Sequence, residues 1–219
     1  LLYGGRCSML RTSIYYEREA KGGFVMSLIE IGRQFDDAAL ALLRSCIGRE
    51  LVAYEGYCLD GESDHIYKTA RLVFDGFAVD LVNEHETLAL GPDFVEEEVA
   101  ILRAEPAKGE LWTPLGKHVT RVECGFQVAD VLVVVDTALL SKGSRRLIDF
   151  KWVQAVIIES EDGGLLAFDR DIWSDEYLAV NRGESVSTTT RDFRADWVAE
   201  PPYGYEFGRN ILRLTNPAV

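Results

Sequence analysis

A short acidic run near the middle of the first half contains residue types of a metal or nucleophile site. The D-x-E-x-D pattern that begins at Asp60 matches the first ligands of a calcium-binding loop. Such a loop needs glycine at its sixth position and glutamate at its twelfth, but His65 and Arg71 stand there. Ser63 lies between Glu62 and Asp64, and His65 follows two residues later. The second glycine of a G-x-S-x-G nucleophile elbow is missing, and residues adjacent in one loop do not form a catalytic triad. We therefore expect a solvated loop here, with neither a calcium site nor a catalytic serine.

A second acidic segment runs from Asp169 to Glu176 and carries four carboxylates in eight residues. Four carboxylates can hold a hard cation, and the alternative is a polar corner with Trp173 turned into the core. We expect the corner. With the acids that precede it, the segment also predicts an acidic patch for a basic protein partner, because opposite charges speed encounter. The predicted patch consists of Glu159, Glu161, Asp162, Asp169, Asp171, Asp175 and Glu176.

A third pattern joins Asp136, at the end of one predicted strand, to the D-x-K sequence of Asp149 and Lys151 on the next. Over this short stretch the chain resembles the PD-(D/E)xK nuclease family. The resemblance implies two acids that hold Mg²⁺ and a lysine that helps to position the attacking water. The alternative is a strand with an exposed Asp/Lys face, which the acidic net charge favours because a polyanionic substrate would be repelled.

Composition limits the classes of partner. The 219 residues are 47% hydrophobic and 27% charged, which are ordinary globular values. The net charge of −13 disfavours nucleic acid and anionic lipid, and it allows a basic protein partner. No apolar run approaches the ~18–20 residues that a membrane-spanning helix needs. We therefore expect a soluble protein without a membrane partner.

Cysteine and histidine spacing argues against metals and disulfides. The four cysteines are far apart, with no C-x-x-C and no secretory segment before them, which indicates reduced thiols in a cytoplasm. The three histidines lack zinc-site spacing, and no glycine-rich nucleotide motif occurs. We therefore predict no metal and no cofactor.

The best-defined element is a hairpin around Asp75-Gly76, a dipeptide that fits a two-residue type I′ turn. A single register pairs Phe74 with Phe77 on an apolar face and Arg71 with Asp80 on the other face. Because both faces agree on one register, we predict strands over residues 65–74 and 77–86.

Other elements follow from periodicity and turn residues. A helix is predicted over residues 35–48, capped by Asp36 and ended by Gly48. Residues 155–158 form a continuous β-branched run, typical of a strand covered on both faces. Phe193 and Trp197 lie four apart, which predicts a short C-terminal helix within residues 192–200. Further strands are predicted at residues 49–57, 99–104, 119–128, 131–135, 165–169 and 177–181, with turns at 141–144 and 161–164.

These elements predict a β-rich α+β protein with two consecutive antiparallel β units and two or three short helices, rather than one closed sheet. Residues 26–106 form a helix plus the first β unit, and residues 117–219 form the second unit with the C-terminal helix. Residues 107–116 connect them. Residues 1–25 are predicted to be a non-native extension before a start at Met26, because Lys21-Gly22-Gly23 can be encoded by a bacterial ribosome-binding sequence. The alternative is an ordinary flexible N-terminus.

We therefore predict an acidic, cytoplasmic bacterial protein that acts by binding another protein without catalysis, in the manner of an immunity protein or an antitoxin. The alternative is a metal-dependent nuclease or hydrolase that uses Asp136, Asp149 and Lys151. A third hypothesis is a module with a small-molecule pocket between its β units. The nuclease hypothesis requires its three side chains to converge beside a cleft, whereas a binding protein leaves them dispersed.

Overall fold

The computed structural model describes residues 28–58, 64–89, 96–171, 175–197 and 201–215. Within these ranges the chain is β-rich, as predicted, and forms one large mixed sheet. The strands are β1 (Ile29–Arg33), β2 (Glu50–Cys58), β3 (His65–Phe74), β4 (Phe77–Ala89), β5 (Glu96–Pro106), β6 (Thr120–Lys142), β7 (Arg145–Ser160), β8 (Leu165–Arg170), β9 (Tyr177–Gly183) and β10 (Tyr203–Arg213). The helices are α1 (Asp37–Arg44) and α2 (Val186–Thr189), and Phe193–Asp196 forms a 3₁₀ turn. The predicted extension 1–25 and the start at Met26 lie outside the described residues.

The long hairpin of β6 and β7 organises the sheet. β6 is one strand of 23 residues, although the sequence predicts two strands there. The strand remains continuous because each half has its own partner: residues 120–127 pair with β2, and residues 132–142 pair with β10. In the same way, β7 pairs along its first half with the parallel strand β1 and along its second half with β8.

Six strands close into a ring. Hydrogen bonding runs from β7 through β8, β9, β3, β2 and β6 and returns to β7 through the β6–β7 hairpin. Strands from both predicted units take part, because β2 pairs with β6 and β3 pairs with β9. One sheet therefore contains strands of both sequence segments, and the division into units 26–106 and 117–219 stays a prediction.

The β3–β4 hairpin has the predicted register. Phe74 pairs with Phe77, and Arg71 pairs with Asp80 across the ladder. The Arg71 guanidinium donates two hydrogen bonds to the Asp80 carboxylate, at 2.7 and 2.9 Å. The Phe74 and Phe77 rings stack with centroids 4.9 Å apart. Local turn chemistry and cross-strand pairing therefore agree with the fold.

Gly76 has a φ of 84°, and a Cβ placed there would meet no atom within 4 Å. Replacing Gly76 by alanine is therefore expected to cost about 1–2 kcal/mol through the left-handed backbone alone. Urea unfolding measures this loss. Gly204→Ala is the matched control, because Gly204 also has open space around it but no left-handed φ; a loss as large in the control as at Gly76 contradicts the explanation.

Helix α1 begins as predicted. The Asp36 carboxylate accepts a hydrogen bond from the Ala39 backbone N–H at 2.8 Å, which caps the helix. Regular α-helix ends at Arg44 and is followed by turns up to Gly48, which has the predicted left-handed φ of 76°. Leu43 is fully buried and anchors the helix to the main core.

Two large clusters form the core. The main cluster joins side chains of the ring strands, among them Leu51, Leu72, Val156 and Phe168, to side chains of α1, β4 and β5. A second cluster contains aromatic side chains from β7, the 3₁₀ turn and β10, with the Trp152 and Trp197 rings stacked at 5.5 Å. Residues 155–158 are buried on both faces, which confirms the prediction for that run.

The C-terminal region differs from the prediction. The helix expected within residues 192–200 is only a 3₁₀ turn, and the segment after Pro201-Pro202 is the eleven-residue strand β10. The physical reason lies in β6, whose second half has β7 on one side and needs a further partner on the other. β10 supplies that partner along its entire length.

Candidate functional site

The three residues of the nuclease pattern do not converge. In the β6–β7 register Asp136 lies opposite Trp152, Thr137 opposite Lys151, and Leu139 opposite Asp149. Because side chains alternate between the two faces of a strand, Asp149 and Lys151 lie on the opposite face of the sheet from Asp136. The three side chains on which the alternative nuclease hypothesis depends therefore do not meet at one site.

Asp136 is instead one half of a buried ion pair. It is fully buried, and its two carboxylate oxygens accept hydrogen bonds from Arg209 Nε and Nη2, each at 2.7 Å. Arg209 also donates to Thr190 Oγ1 and to the Arg191 carbonyl, both at 2.9 Å. Burial raises the pKa of Asp136, although the bonds from Arg209 oppose the rise. With both oxygens bound to a guanidinium, this carboxylate holds β6, β10 and the start of the 3₁₀ turn together.

Asp149 and Lys151 match the alternative that the sequence analysis left open. Lys151 Nζ lies 3.3 Å from Asp149 Oδ2, and the lysine side chain is half-exposed. In the described part of the chain, no group of three or more histidine, cysteine or acidic side chains is arranged to hold a metal ion. The calcium-like run at residues 60–63 lies outside the described residues.

The predicted acidic patch is divided among several environments and does not form one surface. Asp169 and Glu176 are buried, Glu159 forms an ion pair with Arg213 at 2.7 Å, and Asp171 pairs with Arg191. The remaining acids are Glu161 and Asp162, exposed at the β7–β8 turn, and Asp175, which is half-buried. Because all six residues of β8 are buried, a carboxylate within that strand cannot face solvent.

The buried Asp169 carboxylate has hydrogen-bond donors for both of its oxygens. Its oxygens accept hydrogen bonds from Gln154 Nε2, at 2.7 Å, and from the Arg191 backbone N–H. Gln154 in turn accepts from Trp152 Nε1 at 3.1 Å. Burial raises the pKa of Asp169 to about 6. This carboxyl group therefore titrates closer to neutrality than an ordinary aspartate does.

Glu176 stabilises a fork in the sheet. Residues 65–67 of β3 pair with β9, residues 69–74 pair with β4, and Lys68 between them has a φ of 61°. The Glu176 carboxylate accepts from Tyr67 Oη at 2.7 Å, and Lys68 Nζ lies 3.1 Å from its other oxygen. The Asn83 side chain bridges the gap by donating to the Asp175 and Tyr177 carbonyls. The strained backbone at Lys68 is therefore held by Glu176, the residue directly before β9.

Glu176 and Tyr67, which meet at the fork, have pKa values that are shifted away from neutrality. Burial raises the pKa of Glu176, but hydrogen bonds from Tyr67 and Lys68 outweigh it and hold the pKa below its usual value. The hydrogen bond to Glu176, together with burial, raises the pKa of Tyr67 to about 12. A catalytic acid or base works best with a pKa near the operating pH. Neither Glu176 nor Tyr67 has a pKa in that range, and their hydrogen bond joins β3 to the residue before β9.

Beside the fork, a row of aromatic side chains meets an exposed loop. Tyr57, Tyr67 and Tyr177 lie opposite one another on β2, β3 and β9. The Trp112 ring packs on this row, with centroids 5.6 Å from Tyr67 and 6.3 Å from Tyr57. Trp112 belongs to the segment between β5 and β6, residues 107–119, which we call the Trp112 loop.

The Trp112 loop is fixed to the sheet at its beginning. Arg71 Nη1 donates to the Gly109 carbonyl at 3.0 Å, and the Lys108 backbone N–H donates to Asp80 at 3.4 Å. Beyond this anchor, Trp112 keeps 58% of its surface exposed and Leu115 is fully exposed. The sequence predicted only a connection over residues 107–116 of this segment. The sequence did contain a signal for a binding surface here. Trp112 and Leu115 are large apolar residues among prolines and glycines, and a connection that only meets solvent does not need them.

Comparison with known proteins adds no functional assignment. No protein-family model, curated protein or solved structure matches this chain. In the described part of the chain, helices are too short and too polar to cross a bilayer.

Proposed function

We propose that this protein acts by binding another protein through the Trp112 loop, without catalysis. The observation that carries the proposal is the full exposure of Leu115 beside a half-exposed tryptophan, on a loop that Arg71 and Asp80 anchor. Tryptophan is enriched among the residues that dominate binding energy at interfaces. Anchoring lowers the entropy lost on binding, because the start of the loop and the Trp112 ring are already positioned.

The proposed partner is a basic protein with an apolar pocket for Trp112 and Leu115. The net charge of −13 would attract such a partner over long range and speed its encounter with the loop. An immunity or antitoxin-like role in a bacterial cytoplasm suits this chemistry. The free thiols of Cys46, Cys58 and Cys124 are compatible with a reducing compartment.

Leu115→Glu tests the proposal without disturbing the fold, because the leucine side chain makes no contact that its loss could remove. We expect immobilised Leu115→Glu protein to capture at least about tenfold less of a specific partner from extract of the source organism than the original chain does. Quantitative mass spectrometry of the captured proteins measures the change. Trp112→Ala is expected to weaken capture of the same partner.

The matched control is Leu28→Glu, which places the same charge at another exposed leucine, far from the loop in sequence. We expect this control to capture the partner at the original level. Equal capture by all three variants and the original chain would show that the loop is not the binding surface.

A further inference from the structure

Among the described strands, β10 lies at an edge of the sheet. Among the described residues it pairs only with β6, over its full eleven-residue length and without a register shift. It contains no proline and no lysine, which commonly protect edge strands from pairing. Its two arginines form ion pairs within the chain, Arg209 with Asp136 and Arg213 with Asp130 and Glu159. Ile211 and Leu212 remain 42% and 37% exposed near its end. This edge therefore has the features of a strand that receives another strand.

The hydrogen-bond pattern shows which backbone groups face outward. The Leu214 N–H donates to the Val131 carbonyl at 2.9 Å, in the same register that aligns β10 with β6. In an antiparallel ladder, residues alternate between those that bond to the neighbouring strand and those that point away from it. The backbone groups of Phe207, Arg209, Ile211 and Arg213 therefore point away from β6, toward the open edge.

We infer that two copies of this chain associate by pairing their β10 strands antiparallel about a two-fold axis at Gly208. This register joins the two strands along all eleven residues, since Gly208 is the midpoint of Tyr203–Arg213. In this register, residues whose backbone groups point toward the open edge lie opposite such residues of the other copy, so that hydrogen bonds can form between the two β10 strands. A two-fold interface of this kind uses the same surface on both copies.

Charge and size favour this register over one with the axis at Arg209. Arg209 lies opposite Phe207 of the other copy, and Glu206 lies opposite Asn210. Moving the axis by one residue would place Arg209 directly opposite its own counterpart, a like-charge pair that destabilises a ladder. Leu212 falls opposite Gly204, so the exposed leucine of each copy gains room to pack. The two glycines at position 208 meet at the axis without a side-chain clash.

Disulfide trapping tests the register. We expect Glu206→Cys/Asn210→Cys, in a chain with Cys7 and Cys124 changed to serine, to form a covalent dimer rapidly under mild oxidation. Directly opposed residues that do not exchange hydrogen bonds have Cα atoms about 4.5 Å apart, within disulfide range. Glu206→Cys/Leu212→Cys is the control, because those positions face each other only if the axis lies at Arg209. Equal trapping in both variants, or trapping in neither, overturns the inference.

Solution mass provides an independent measurement. We expect sedimentation velocity to show a species of twice the 24.5 kDa chain mass, and salt to favour it because the acidic copies repel each other. Ile211→Pro removes an outward N–H without removing a bond to β6, and we expect it to weaken the dimer at least about tenfold. Ile211→Thr keeps that N–H and is expected to dimerise. A monomer at all concentrations and salt levels overturns the inference.

Discussion

Asp136→Asn is expected to lower the free energy of unfolding by about 3 kcal/mol, near the lower end of the range for breaking a buried ion pair. The variant leaves the largely buried Arg209 guanidinium without its counter-charge, while one side-chain oxygen still accepts a hydrogen bond. Because Arg209 also holds Thr190 and the Arg191 carbonyl, the loss should loosen the contact between β10 and the 3₁₀ turn. Urea unfolding with linear extrapolation measures the change.

The matched control is Asp149→Asn on the neighbouring strand, whose partner Lys151 is half-exposed. We expect a loss below about 1 kcal/mol there, as for most exposed ion pairs. The double variant Asp136→Leu/Arg209→Met is expected to be much closer to the original stability than Asp136→Asn is, since it removes both buried charges together. Similar small losses at Asp136 and Asp149 would contradict the assignment of a buried structural pair.

The second large effect is a pH dependence that originates in Asp169. Its pKa is about 6 in the folded protein, above the ordinary value of 3.8, because the carboxyl group is buried. The folded state therefore binds this proton more tightly than the unfolded state does. Its contribution to stability is fully present below pH 3.8 and is lost as the pH rises through about 6. The full contribution is about 3 kcal/mol.

Asp169→Asn isolates this contribution, because an amide does not titrate. The variant loses the acceptor for the Arg191 N–H and is expected to be less stable than the original chain at acidic pH. As the pH rises from 4 to 7, the difference in unfolding free energy between the two proteins is expected to shrink by up to about 3 kcal/mol. Urea unfolding at a series of pH values measures it. A constant difference across that range would contradict the raised pKa.

Asp192 serves as a control of opposite sign. Hydrogen bonds from Arg194 lower its pKa to about 2, so the stability that it contributes is present above its ordinary pKa and is lost as the pH falls toward 2. Asp192→Asn is therefore expected to leave the pH dependence between 4 and 7 unchanged. A change in that range would indicate that Asp169 is not its source.

Elements specified by neighbouring residues could be predicted. The Asp75-Gly76 turn, the opposition of Arg71 and Asp80, and the Asp36 cap each involve residues within ten positions of one another. Turn, cap and cross-strand preferences act over that distance, so a single sequence contains the signal. The prediction that residues 99–104 form a strand is also confirmed, since they lie within β5.

The candidate sites were harder to predict because they depend on which strands become neighbours. Asp136 and Arg209 are 73 residues apart, and their contact exists only because β10 pairs with β6. The acids at residues 169–176 were predicted to form a surface patch. The pattern of residues within this run does not reveal that the preceding strand, β8, is buried on both faces. Trp112 was passed over because a loop has no period from which exposure can be inferred.

By itself, the sequence determined the hairpins, the capped helix, the β-rich class and the acidic charge, since each depends on local residue preferences or simple composition. The tertiary structure alone decided the closure of the ring, the burial of Asp136 and Asp169, the exposure of the Trp112 loop and the open edge of β10. The physical reason is that strand pairing joins residues distant in sequence. Because side chains alternate along a strand, the sequence shows which residues share a face. The neighbouring strands decide which of the two faces meets solvent.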